Sequence, residues 1–119
     1  MVMVGLVAAV LVQAPSVESA TKELAACAEG AAPFVAKLDE TMEVASQILV
    51  EVCPTQRLSL RRAVDGRGLS PQQASAEETL LVRVAIARAR VRMIAERACG
   101  GGEPVCWAFF SENNGVPRP

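Results

Sequence analysis

Residues 80–99 read LLVRVAIARARVRMIAERAC, and the spacing within this stretch decides the fold class. Leu80, Val84, Ala87, Val91, Ile94 and Ala98 recur at alternating intervals of four and three, which predicts one buried stripe along a helix. Leu81, Val82, Ile86 and Met93 widen that stripe, so the helix is expected to be covered from two directions. Arg83, Arg90 and Arg97 fall a heptad apart on a second line, and Arg88 and Arg92 fall on a third. A long helix with an apolar side and an arginine-rich remainder follows.

Its ends are signalled on both sides. Gly100-Gly101-Gly102 is an emphatic C-terminal stop. Upstream, Ser70-Pro71 suits a helix start, serine as cap and proline at the first helical position. Ser75 with Glu78 offers an alternative and stronger capping box. Asp65-Gly66-Arg67-Gly68 breaks the chain before that start. Between Pro54 and this break, Leu58 and Leu60 with Arg57, Arg61 and Arg62 predict a short helix of modest amphipathicity.

Further upstream the sequence predicts a helical hairpin. The first arm runs from about Ala20 to Leu38, with Leu24, Cys27, Ala31, Phe34 and Leu38 on its inner side. Gly30 and Pro33 interrupt it, as a bend off the stripe or as a division into two short helices. Asp39-Glu40-Thr41 supplies a turn and a cap for a second arm, Met42 to Cys53, with Ala45, Ile48, Leu49 and Val52 facing inward. The turn near residue 40 stands about midway between Cys27 and Cys53. At about 1.5 Å per residue both arms travel roughly 18 Å, which brings the two cysteines level.

Cys99 and Cys106 flank the glycine stop, with six residues between them. Four cysteines allow three pairings, and the hairpin register selects Cys27–Cys53 with Cys99–Cys106. Zinc would ask for a CxxC pair, which this chain lacks, so no metal or cofactor is expected. Beyond Cys106, Trp107, Phe109 and Phe110 are three of the four aromatic residues. Such a cluster either plugs one end of a bundle or serves as an exposed anchor for a partner.

At the N-terminus, the apolar run Val2 to Val12 is too short to span a bilayer but suits the core of a secretory signal. Val17 and Ser19 make a small-residue cleavage pattern before Ala20, although no Lys or Arg precedes the run. Leu24-Ala25-Ala26-Cys27 matches a lipobox, but Glu18, Lys22 and Glu23 separate it from the apolar run, so it reads as an ordinary helix turn. The expected organisation is a signal peptide over 1–19, one helical domain over 20–110 and a flexible tail over 111–119. No repeat or low-complexity tract appears.

Composition agrees with helix packing through small residues: half of the 119 residues are apolar, many of them alanine. Net charge is −1 but unevenly divided. Residues 1–53 carry two lysines against seven acids, and residues 54–119 carry ten arginines against six acids. An acidic hairpin beside a basic helix explains this division, and Glu77, Glu78 and Glu96 dilute the basic face. Nucleic-acid binding is therefore not expected.

Catalytic chemistry is narrowed by what is missing. The chain has no histidine and no tyrosine, which excludes histidine-assisted nucleophiles and histidine metal sites. Cys99-Gly-Gly-Gly follows a helix and lacks the lysine and hydroxyl of a phosphate loop. Asp39–Glu40 and Glu77–Glu78 stand where helix starts favour acids.

The expectation is therefore an exported, all-α bundle of three to four helices, a hairpin plus one long C-terminal helix, stapled by two disulfides. Its expected role is a non-enzymatic protein-binding module, inhibitor, immunity-type or chaperone-like, in the periplasm or outside the cell. The candidate partner surface is Arg83, Arg88, Arg90, Arg92, Arg97, Trp107, Phe109 and Phe110. Two alternatives stay open: a thiol-disulfide oxidoreductase using Cys99 and Cys106, and a basic face that adsorbs to anionic surfaces.

Overall fold

A computed structural model describes residues 16–100 and 104–114, which form five helices and, among these residues, no strand. The apolar run and the end of the tail lie outside the described residues, whereas Val17, Ser19 and Ala20 of the expected cleavage pattern are described and helical. Helix α1 spans Val17–Val35, α2 Met42–Glu51, α3 Pro54–Asp65, α4 Pro71–Cys99 and α5 Pro104–Asn114.

Local chemistry sets the helix ends. Ser16 caps α1 by accepting from the Ser19 amide at 3.1 Å, and Thr41 caps α2 by accepting from the Val44 amide at 3.2 Å. Helix α4 starts at the Ser70-Pro71 signal. Ser70 and Gln73 form a reciprocal capping box at 3.2 Å in each direction, and the Ser75–Glu78 alternative falls inside the helix. It stops at Gly100, whose φ of +58° is a left-handed conformation that glycine adopts without steric cost.

Helix α1 passes through Gly30 without interruption and reaches Val35, with Pro33 inside its last turn. Proline there removes one amide donor near an end, where little ladder remains to be lost. Ala20 is fully buried four residues past the Ser16 cap. A chain beginning at Ala20 would thus lose the cap and most of the first turn.

Helices α1 and α4 lie side by side and run in the same direction. Ala20 and Leu24 pack in one cluster with Ala85, whereas Ala28, Ala32 and Val35 pack with Ile86, Ala89 and Met93 further along. Helices α2 and α3 return along them in succession. Ala45, Leu49 and Val50 of α2 cover the later half of α1, and Leu60, Ala63 and Val64 of α3 cover the earlier half. The break between them falls at Cys53-Pro54, because proline takes the first position of a new helix. Helix α5 packs on α4 alone among the described helices.

Both disulfides join the cysteines that the register selects. Cys27 pairs with Cys53 at a Cα separation of 6.1 Å, and Cys99 with Cys106 at 5.6 Å. No free cysteine remains. The first bond ties the middle of α1 to the α2–α3 junction, and the second ties the end of α4 to the start of α5.

Several expectations need correction, the largest on α4. Leu80, Val84 and Ile94 are 57, 60 and 43 % exposed, and Ala87 and Ala98 are exposed with them. The buried side is the set that had only widened the stripe, Ile86 and Met93 with Ala85 and Ala89, flanked by half-buried Leu81 and Val82. The reason is steric. Ala85 packs in one cluster with Ala20 of α1 and Ala89 in another with Ala28 and Ala32, and close-packed small residues gain dispersion contacts that protruding ones forfeit.

The same preference shifts the α1 stripe. Ala20, Leu24, Ala28, Ala32 and Val35 are buried, while Phe34 is 73 % exposed and Leu38 is exposed. Val52, just past α2, and Leu58 of α3 also face solvent. The helix count exceeds the three or four expected because Pro104–Asn114 forms a further helix, α5, which reaches into residues assigned to the tail. Pro104 at the start of α5 is the signal that marks this helix.

Candidate partner-binding surface

The exposed side of α4 is an ordered surface. Leu80, Val84, Ala87, Val91, Ile94 and Ala98 keep their four-and-three spacing along about 27 Å of helix, all exposed except Val91, which is half-buried. Val91 packs beside Ala95, Cys99 and Trp107, so α5 borders the line at that point. Next to Val84, a cleft between α1 and α4 has Val17, Ala25, Leu81 and Ala85 among its lining residues, with Lys22 and Arg67 beside them. Isolated apolar residues on a surface are ordinary, but a register sustained over five helical turns is not.

The arginines of the candidate set play separate parts. Arg83 and Arg90 are exposed and border the line. Arg88 also borders it and forms an ion pair with Glu29 of α1 at 3.3 Å. Arg97 is structural: its guanidinium donates to the carbonyl oxygens of Ala36 and Leu38, each at 3.0 Å. Those acceptors follow the C-terminus of α1, where a cation also complements the helix dipole. Arg92 is half-buried, and its Nε is enclosed without a hydrogen-bond partner.

The aromatic cluster divides likewise. Trp107 is 1 % exposed and fills the space between α5 and the end of α4 with Ala95 and Cys99, so it plugs the fold and is not available to a partner. Phe110 is half-buried in that cluster, whereas Phe109 is exposed and meets the Phe110 ring edge-on at 5.6 Å. Of the eight residues put forward as a partner surface, Arg83, Arg88, Arg90, Arg97 and Phe109 are exposed, and Arg97 among them is held by the α1 carbonyls. The apolar line between the arginines is the part that sequence reasoning misplaced, by burying it. The arginines on both of its borders were the available signal, since a stripe buried in a bundle rarely carries cations along each edge.

Cys99 is buried and Cys106 half-buried within the same cluster as Trp107. Among the described residues, no group of three or more cysteines and acids could hold a metal ion, and no helix is long and apolar enough to cross a membrane. Comparison with known proteins returns no match: no family model, curated protein or solved structure is significantly similar to this chain.

Proposed function

We propose that this protein is an exported, non-enzymatic binding module that docks a protein partner on the outer face of α4. One observation carries the reading: an apolar line from Leu80 to Ala98, exposed at every position but half-buried Val91, faces solvent instead of the core. An uncovered surface of this kind costs solubility and is retained where a partner covers it. Two disulfides in a small helical chain fit an oxidising compartment, the periplasm or the outside of the cell. An inhibitor, immunity-type or chaperone-like role would each use such a face to hold its partner.

Photo-crosslinking in the producing cell tests this reading. A photoreactive phenylalanine analogue at Val84 should yield a defined adduct with another protein. The same analogue at Phe34, exposed on α1 outside the line, should not. Equal adducts from both positions, or none from Val84, would refute the docking face.

A further inference from the structure

We infer that the partner presents an acidic amphipathic helix to α4, and that the face is not built to pair with a second copy of this chain. The inference rests on the docking reading and adds the chemistry of the partner. Six apolar positions alternating by four and three form the seam that another helix packs along, because this spacing keeps the side chains on one line of the contact.

The borders of the seam set the charge. In heptad terms Leu80, Ala87 and Ile94 are d positions, and Val84, Val91 and Ala98 are a positions. The g positions are then Arg83, Arg90 and Arg97, and the e positions are Leu81, Arg88 and Ala95. Every charged border residue is a cation. Parallel self-pairing would set Arg83 against Arg88 of the second copy. Antiparallel self-pairing would set Arg90 against Arg90, with Arg97 already held by the Ala36 and Leu38 carbonyls. Both registers put like charges across the contact, which is how helical interfaces reject a wrong partner.

Glu29 of α1 offsets Arg88, but the acids of α4 do not relieve Arg83 or Arg90. Glu77 precedes the seam and forms an ion pair with Arg67 at 3.1 Å, and Glu78 and Glu96 lie toward the packed side of the helix, both half-buried. Among the described residues, Arg83 and Arg90 have no carboxylate within ion-pair distance. A partner helix with glutamate or aspartate beside its own apolar line satisfies both.

The test uses the intact, disulfide-bonded chain and two synthetic helical peptides of about 25 residues with identical apolar seams, one bordered by glutamate and one by lysine. Methyl NMR should place the glutamate peptide on Leu80, Val84 and Ile94. It should bind about five- to tenfold more tightly than the lysine peptide at low salt, and the gap should narrow at about 0.5 M salt. Replacing Arg83→Glu together with Arg90→Glu should reverse the preference. Arg57→Glu, exposed on α3, should leave it unchanged.

Equal affinity for both peptides, or no binding of either, overturns this inference, whereas the Val84 crosslink is what decides the docking reading itself. A self-association constant that tightens with concentration and protects the seam methyls would overturn it in favour of a homodimer. Loss of the seam signals on anionic but not zwitterionic vesicles, without peptide preference, would overturn it in favour of a lipid surface.

Discussion

Replacing Cys27 and Cys53 together by alanine should lower the unfolding free energy by about 3.5 kcal/mol, because the bond closes a loop with a sequence separation of 26. The loss falls on the whole bundle. Cys53 is fully buried in the cluster that joins α1, α3 and α4, and the bond fixes the register of the returning arm against α1. Replacing Cys99 and Cys106 should cost about 2.4 kcal/mol, for a separation of 7, and should loosen mainly α5, which touches only α4. Urea unfolding followed by two probes separates these effects. Trp107, the single tryptophan, reports on α5, and far-ultraviolet circular dichroism reports on all five helices. In the first variant both transitions should move together. In the second, tryptophan fluorescence should change ahead of the helix signal. A Cys27/Cys53 variant as stable as the parent would mean that α2 and α3 hold their register without the bond.

Two neighbours in sequence separate the faces of α4. Met93→Ala should cost about 2–5 kcal/mol, because Met93 is fully buried among Ala89, Ile86 and the alanines of α1, and its removal leaves a cavity. Ile94→Ala should fall within about 0.5 kcal/mol of the parent, since Ile94 is 43 % exposed and alanine has the higher helix propensity. Denaturant midpoints of the two variants give the comparison directly. Equal costs, or a larger cost at Ile94, would mean that the line beginning at Leu80 is packed after all.

These neighbours also mark where sequence reading succeeds and where it stops. The all-α class, the caps at Thr41 and Ser70, the stop at Gly100 and the pairing of Cys27 with Cys53 were legible, because each depends on local chemistry or on helical rise. The inward face of α4 was not. Leu80, Val84, Val91 and Ile94 on one side are as apolar as Leu81, Val82, Ile86 and Met93 on the other, so periodicity gives two equivalent answers. The choice is made by alanine: Ala85 and Ala89 meet Ala20, Ala28 and Ala32 of α1, and a hydrophobicity pattern gives such residues little weight. Phe34 illustrates the same limit, a large apolar residue displaced outward so that Ala32 and Val35 can pack. Helix α5 was not legible because Val105 to Phe110 is an unbroken apolar run without helical period, and Pro104 alone marks the start.

The claim on which the functional reading depends is that the outer line of α4 is uncovered in the free protein. Methyl NMR with a soluble gadolinium chelate measures this residue by residue. The methyls of Leu80, Val84 and Ile94 should be strongly relaxed, while those of Leu24, Leu49 and Met93, all fully buried, should be spared. Protection of Leu80, Val84 and Ile94 equal to that of Leu24 and Leu49 would contradict the account, because the face would then already be covered within the chain.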